Sequence, residues 1–351
     1  MSAGKSSDEV NNDTTTSGNF LQRLSLTRAL LICAKLAIAV GIIVYLVHTQ
    51  RLGIERIRTA LLYPRELLGA LVLLLLLPLV MGERWQLLLR SLEYNFRYYD
   101  LWSLTLIALF FDTVMPGGIA DIVRGYYFDR KLRPQDRVRA ASTVVVDRFL
   151  GLMALVLLAV AALAARARAV FGNSALRPIA ALAAAIGIAF TLVFVFLCVE
   201  GDPGRKLLVA IADRMKPGQL LLRIYDAFRQ YKRSVGTLIL ALGLSCVSHL
   251  LTMSCFALLG RALGESHLSF ADYLYLIPLG LFAAQIPISP GGIGVGHIAF
   301  YSLFVMAGSR LGADLFSLFI VIRFISALPG LFYFLLISRQ VRERQPAATQ
   351  G

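Results

Sequence analysis

Arg148 and Arg323 each lie inside a long apolar run. A charge at membrane depth is costly, so an intramembrane arginine is a functional hypothesis by default. A guanidinium stays ionised and matches the geometry of a phosphate, which gives both residues a chemistry: holding an anionic headgroup. Arg124 joins them as a third candidate cation. The competing reading is ion pairing with the nearby acids Asp112, Asp121 and Asp147. Arg148 would then pair with Asp112 or Asp121, and Arg323 with Asp147. Asp112 also fits a helix cap. Asp121 and Arg124 stand three residues apart and would share a helical face.

Two backbone breaks accompany these charges. Pro116-Gly117-Gly118-Ile119 recurs as Pro290-Gly291-Gly292-Ile293. Irregular backbone in a bilayer is tolerated only where protein or a water-filled cavity receives the freed polar groups. Backbone N–H groups at a helix start after the glycines would attract an anion; the plainer reading is a tight turn with close helix contact. His297 follows the second turn. It fits a packed, hydrogen-bonded residue better than a ligand, and is kept as a possible site residue. His249 falls within a span and reads as structural.

The elements that must carry these residues are membrane helices. The chain is 351 residues long, 58% hydrophobic and only 16% charged, with a mean hydropathy of +0.71. Soluble domains carry about 25% charged residues. Runs of about 20 apolar residues span a bilayer, and spans are expected at about 30–48, 66–82, 141–164, 178–199, 236–259 and 313–337. Arg84 and Trp85 close the second of these as interface anchors. The apolar runs 101–111 and 119–128, and likewise 274–287 and 298–307, are short and flank the two Pro-Gly-Gly breaks. They read as re-entrant hairpins. Residues 1–28 read as a disordered polar tail, not a signal peptide. The membrane core would cover 29–338, with a cytoplasmic tail at 339–351. Residues 200–235 read as a cytoplasmic linker in which Leu220, Leu221, Ile224, Tyr225 and Phe228 recur at helical spacing, as in an amphipathic helix on the membrane surface.

The two halves, about 66–164 and 236–337, align at one offset. Pro116 precedes Arg148 by 32 residues and Pro290 precedes Arg323 by 33. With both breaks re-entrant and the N-terminus inside, the inner segments hold 23 lysines and arginines and the outer loops nine. That asymmetry obeys the positive-inside rule. It places both termini in the cytoplasm and makes the repeat inverted. The alternative is eight spans with parallel repeats. The expected fold class is therefore all-α and polytopic, six spans plus two hairpins.

The net charge of +14 belongs to cytoplasmic loops and anionic lipid contact, not to nucleic acid. Cys33, Cys198, Cys246 and Cys255 lie in apolar stretches without metal-ligand spacing. No nucleophile elbow, P-loop or zinc-protease motif occurs, so neither catalysis nor a cofactor is expected.

Residues 116–126, then Val146-Asp147-Arg148, then 290–294 resemble the membrane region of lysylphosphatidylglycerol synthases, a flippase-like domain. The resemblance covers about 28–338. It implies a bacterial inner-membrane protein that translocates a lipid, best known for aminoacylated phosphatidylglycerol. The chain stops about a dozen residues after its last span, without the aminoacyl-transferase domain, so lipid synthesis is not expected. Many members carry an acid after the second Gly-Gly, where this chain has Gly296-His297. Two functions are weighed. One is a flippase for an anionic, aminoacylated or polyprenol-linked lipid. The other is a membrane scaffold partnering a separate lipid-modifying or glycosyl transferase.

Overall fold

A computed structural model describes residues 54–114, 137–198, 216–232, 234–284 and 292–343, with single positions at 44, 48, 205 and 209. Among these residues every regular element is a helix: α1 Ile54–Ala60, α2 Pro64–Arg90, α3 Tyr98–Val114, α4 Arg137–Ala165, α5 Ala167–Gly172, α6 Leu176–Cys198, α7 Lys216–Arg229, α8 Val235–Ala262, α9 Phe270–Ala284, α10 Val295–Met306 and α11 Gly312–Glu343. Five are long and apolar enough to cross a bilayer: α2, α6 and α8, with Ser142–Ala165 of α4 and Gly312–Leu336 of α11. The expected first span, 30–48, lies outside the described residues but for two positions. So do 115–136, which hold the first Pro-Gly-Gly and the run behind it.

Sequence chemistry sets the helix limits. Pro64 opens α2, where its missing N–H would have had no helical acceptor anyway. The apolar residues do not stop at Gly82, and α2 runs on to Arg90, past the end expected for the second span. In water the large exposed side chains on α6, such as Leu182, Ile188 and Leu192, would be a liability. In a bilayer they face lipid.

Individual contacts fix the directions of packing. Leu258 lies against Gly69 and Ser245 against Arg84, so α2 and α8 run antiparallel. Gly82 lies on Trp102, turning α3 back along α2. Gly260 lies on Tyr273, turning α9 back along α8 in the same way. The next step crosses between the halves. Short α3 packs antiparallel on α11, from Trp102–Tyr333 through Leu106–Gly330 to Asp112–Arg323. Short α9 packs antiparallel on α4, from Asp272–Arg166 to Phe282 beside Leu155. Each half thus lends its short helix to the other half's long one. It follows that α2 runs opposite to α8, α3 opposite to α9 and α4 opposite to α11.

The glycine at the α3–α11 crossing is required. A Cβ at Gly330 would stand 2.1 Å from the carbonyl oxygen of Leu106, which is backbone and cannot move aside. Helices approach this closely only through small residues. Helices α9 and α10 form an antiparallel pair, with Tyr273 against Phe304 and Gly280 against Phe300. They pack on an aromatic core in which Phe256 stacks on Phe319 at 4.2 Å and Phe300 on Phe316 at 4.7 Å.

A polar belt closes one end of the bundle and an aromatic cluster the other. At one end Arg56 pairs with the fully buried Asp314 at 2.6 Å. Arg166 pairs with Asp272, Asn173 donates to the carbonyl of Met306, and Ser309 donates to Glu265. These are the four loops that charge counting places on one side. At the other end α7 corrects the expectation of a helix lying on the membrane. Its Tyr225 and Phe228 are buried against Leu88, Val146, Leu150 and Leu238, and Phe228 meets Phe149 edge-on at 5.0 Å. An amphipathic pattern reports only that one face is covered; here protein covers it.

Candidate functional site

At the α7 end of the bundle, α2 carries Arg84 into the interior. Its side chain is 6% exposed and pairs with Asp147 of α4, itself 2% exposed, at 2.7 Å. The second arm of the guanidinium donates to Ser245 of α8 at 2.8 Å. A buried charge needs a partner and filled hydrogen bonds, and Arg84 has both. The expectation that Arg84 anchors a membrane interface is therefore corrected. The sequence holds a signal for this: Trp85, Leu87, Leu88 and Leu89 continue the apolar run beyond it, so the helix has not reached its end at Arg84. Trp85 is likewise fully buried and donates to Thr143.

Asp112 and Arg323 pair at 2.5 Å, with side chains 36% and 27% exposed. Arg323 pairs with Asp112 and not with the expected Asp147, which pairs with Arg84; Asp121, an expected partner of Arg148, lies outside the described residues. The exchange of short helices decides this: α3 delivers Asp112 to α11, while Asp147 faces α2. From the Gly82–Trp102 contact α3 runs ten residues away before reaching Asp112, about 15 Å at 1.5 Å per residue, whereas Arg84 is two residues from Gly82. The two ion pairs therefore stand toward opposite ends of the bundle interior.

One cavity of about 210 Å³ joins them. It is lined by Arg84, Asp147 and Arg148 at one end and by Asp112 and Arg323 at the other. Leu77, Leu109, Leu155 and Phe319 supply apolar wall, and Thr105, Thr113, Ser248, Thr252 and Ser326 supply hydroxyls. His249 lines it too and faces the carbonyl of Gly151 at 2.9 Å. A carbonyl only accepts, so Nε2 carries the proton and donates. Sequence reasoning found two of the three arginines and both aspartates of this site but missed Arg84, His249 and the hydroxyls, whose shared lining exists only after packing.

Pro116, Gly117, Gly118, Asp121, Arg124, Pro290 and Gly291 lie outside the described residues. Gly292 has φ +72° and lies against Ala284, a left-handed conformation that glycine alone adopts freely. His297 is buried at the start of α10: its Nδ1 accepts the Gly294 N–H at 3.2 Å and its Nε2 meets Ser317 at 2.8 Å. It caps a helix and is absent from the cavity wall. Among the described residues no group of three His, Cys, Asp or Glu side chains could hold a metal.

A bundle of spans enclosing charged residues between its halves is the setting in which a family assignment carries meaning. The model of the lysylphosphatidylglycerol synthase TM region matches residues 32–333. The chain belongs to this family. It is a multi-pass membrane protein, and the family match runs through all the residues that line the cavity. The chain is also similar to the UPF0104 membrane protein MJ1595 of Methanocaldococcus jannaschii, 29% identical over 103 residues, which is 28% of this chain and 30% of that protein. No solved structure matches.

Proposed function

We propose that the protein moves a lipid with an anionic headgroup across the inner membrane, the headgroup passing through the cavity while the tails stay in the bilayer. The carrying observation is a cavity with ion-paired arginines toward both ends, inside a bundle with five spans among the described residues. The opposed directions of α2 and α8, of α3 and α9 and of α4 and α11 support an inverted repeat, the architecture in which a site at the repeat interface is exposed alternately. Helices α9 and α10 have 15 and 12 residues, about 22 and 18 Å long, short of the roughly 30 Å hydrocarbon core; that supports a re-entrant pair.

In this reading Arg148 and Arg323, which correspond between the halves, are successive phosphate stations. Asp112 holds Arg323 until a phosphate displaces it. Arg84 and Asp147 form the fixed wall, and Arg124 is a further headgroup contact expected from the sequence. Both termini are cytoplasmic.

Reconstitution tests this. Purified protein in liposomes, with labelled anionic phospholipid and a headgroup-accessibility readout, should exchange lipid between leaflets. Arg148→Gln and Arg323→Gln should each abolish the exchange without unfolding the protein. A folded wild type that moves no lipid would overturn transport in favour of a membrane scaffold.

A further inference from the structure

Transport requires the cavity to meet each side of the membrane in turn, and two layers stand between it and the belt end of the bundle. The inner layer is aromatic. Phe319 and Arg323 line the cavity, with the guanidinium over the Phe319 ring at 6.0 Å. Phe319 stacks on Phe256 at 4.2 Å, and Phe316, one turn nearer the start of α11, stacks on Phe300 at 4.7 Å. All four rings are buried. They lie along the part of α11 between Arg323 and Asp314, nine residues or about 13 Å of helix.

The outer layer is the polar belt, and its bonds are of two kinds. Arg56 to Asp314, Arg166 to Asp272 and Asn173 to the Met306 carbonyl each join a residue before α7 to one after it. These three cross the seam between the halves. Ser309 to Glu265 joins two loops that both follow α7, so it stays on one side of the seam.

The crossing ion pairs suit a seam that parts. The Arg56 and Arg166 side chains are 44% and 40% exposed, and an arginine this open recovers hydration when it leaves its partner. The two acids are provided for as well. Asp272 and Asp314 lie in the first turns of α9 and α11, where the helix dipole favours a carboxylate after its arginine has gone. Asp272 also accepts from the N–H and the hydroxyl of Ser269 at 2.9 and 2.6 Å. Arg84 and Asp147 differ: both are enclosed, and separating them would strand two buried charges. The α2–α8 contact that runs from Gly69 to Arg84 is therefore a hinge, and the belt is the end that opens.

We propose that the three crossing bonds are the latches of a gate and that the aromatic layer beneath them is its plug. The cavity is shut on this side until Arg56–Asp314, Arg166–Asp272 and Asn173–Met306 part together. This deepens the transport reading and rests on it for the movement of lipid; the opening itself is measurable without lipid.

The test uses the full-length protein in a cysteine-free background. Three cysteine pairs are joined by a short reducible bis-methanethiosulfonate. Arg166→Cys with Asp272→Cys, and Asn173→Cys with Met306→Cys, bridge the seam. Glu265→Cys with Ser309→Cys bridges two loops on one side of it. In liposomes both seam-bridging links should bring lipid exchange down to the rate of protein-free vesicles, and reduction should restore it. The third link should leave exchange unchanged. A second readout uses Ser326→Cys on the cavity wall and a membrane-impermeant thiol reagent, added on the face where Ser174→Cys reacts. Adding Arg56→Gln or Arg166→Gln should speed this labelling about threefold, the scale of one partly exposed ion pair.

Exchange that persists under either seam-bridging link would overturn the gate and leave transport standing. Exchange lost under the Glu265–Ser309 link as well would assign the effect to loop stiffness and overturn the seam. If the wild type moves no lipid, transport fails and the labelling decides the gate: faster labelling in Arg56→Gln and Arg166→Gln upholds it, and unchanged labelling overturns it.

Discussion

Arg84 and Asp147 illustrate how a single pair behaves when water is excluded. Removing one partner of a buried pair leaves the other charged and unmatched, which costs about 3–5 kcal/mol, whereas replacing both by apolar groups of similar size is often neutral. Asp147→Ala should therefore lower the thermal transition in detergent sharply, and Arg84→Met combined with Asp147→Leu should recover most of the loss. Thermal melts of Asp147→Ala, of the single variants Arg84→Met and Asp147→Leu and of their double check this; an additive double variant would mean that the two residues are not a unit. Asp112 and Arg323 are partly open to the cavity, so their contrast is functional. Asp112→Asn should leave the melting temperature near wild type and change lipid exchange, measured in the liposome assay.

Between elements, the crossing of α3 on α11 depends on Gly330. Gly330→Leu places a side chain where the Leu106 carbonyl already stands, so the two helices must part and Asp112 must leave Arg323. The expected outcome is a folded bundle with lipid exchange reduced as far as in Arg323→Gln; unchanged exchange would show that the crossing does not set the site. Helix α7 is the second case. Phe228→Ala empties a fully buried aromatic position between Val146 and Leu238, and such truncations cost about 3–5 kcal/mol. A surface-lying helix would lose almost nothing, so the melting temperature separates the two arrangements.

For the whole molecule, the loops that meet around Asp314, Asp272 and Glu265 carry few lysines and arginines, and the segments around α7 carry many. In a cysteine-free background on intact cells, Ser174→Cys should react with a membrane-impermeant maleimide, and Lys232→Cys should react only after permeabilisation. The reverse labelling pattern would invert the protein in the membrane and contradict the positive-inside reading.

Much of this was legible in the linear chain. Hydrophobic runs report helices because apolar length is a local property, and α4, α6, α8 and α11 follow their runs within a few residues over the transmembrane part. Intramembrane cost singles out Arg148 and Arg323 without any knowledge of their neighbours, and both line the cavity. Partner choice is different, because it depends on which helix lies beside which. The exchange of α3 and α9 between the halves gives Asp112 to Arg323 and leaves Asp147 to Arg84, against the pairing that sequence proximity and repeat symmetry suggest. The same packing turns Arg84 inward from a supposed interface and places protein over the apolar face of α7. It also brings five hydroxyls from α3, α8 and α11 into one cavity lining. Composition and periodicity determine that this chain is a polytopic helical bundle; the antiparallel crossings, held close by glycine at Gly330, decide which charges meet and what the cavity can bind.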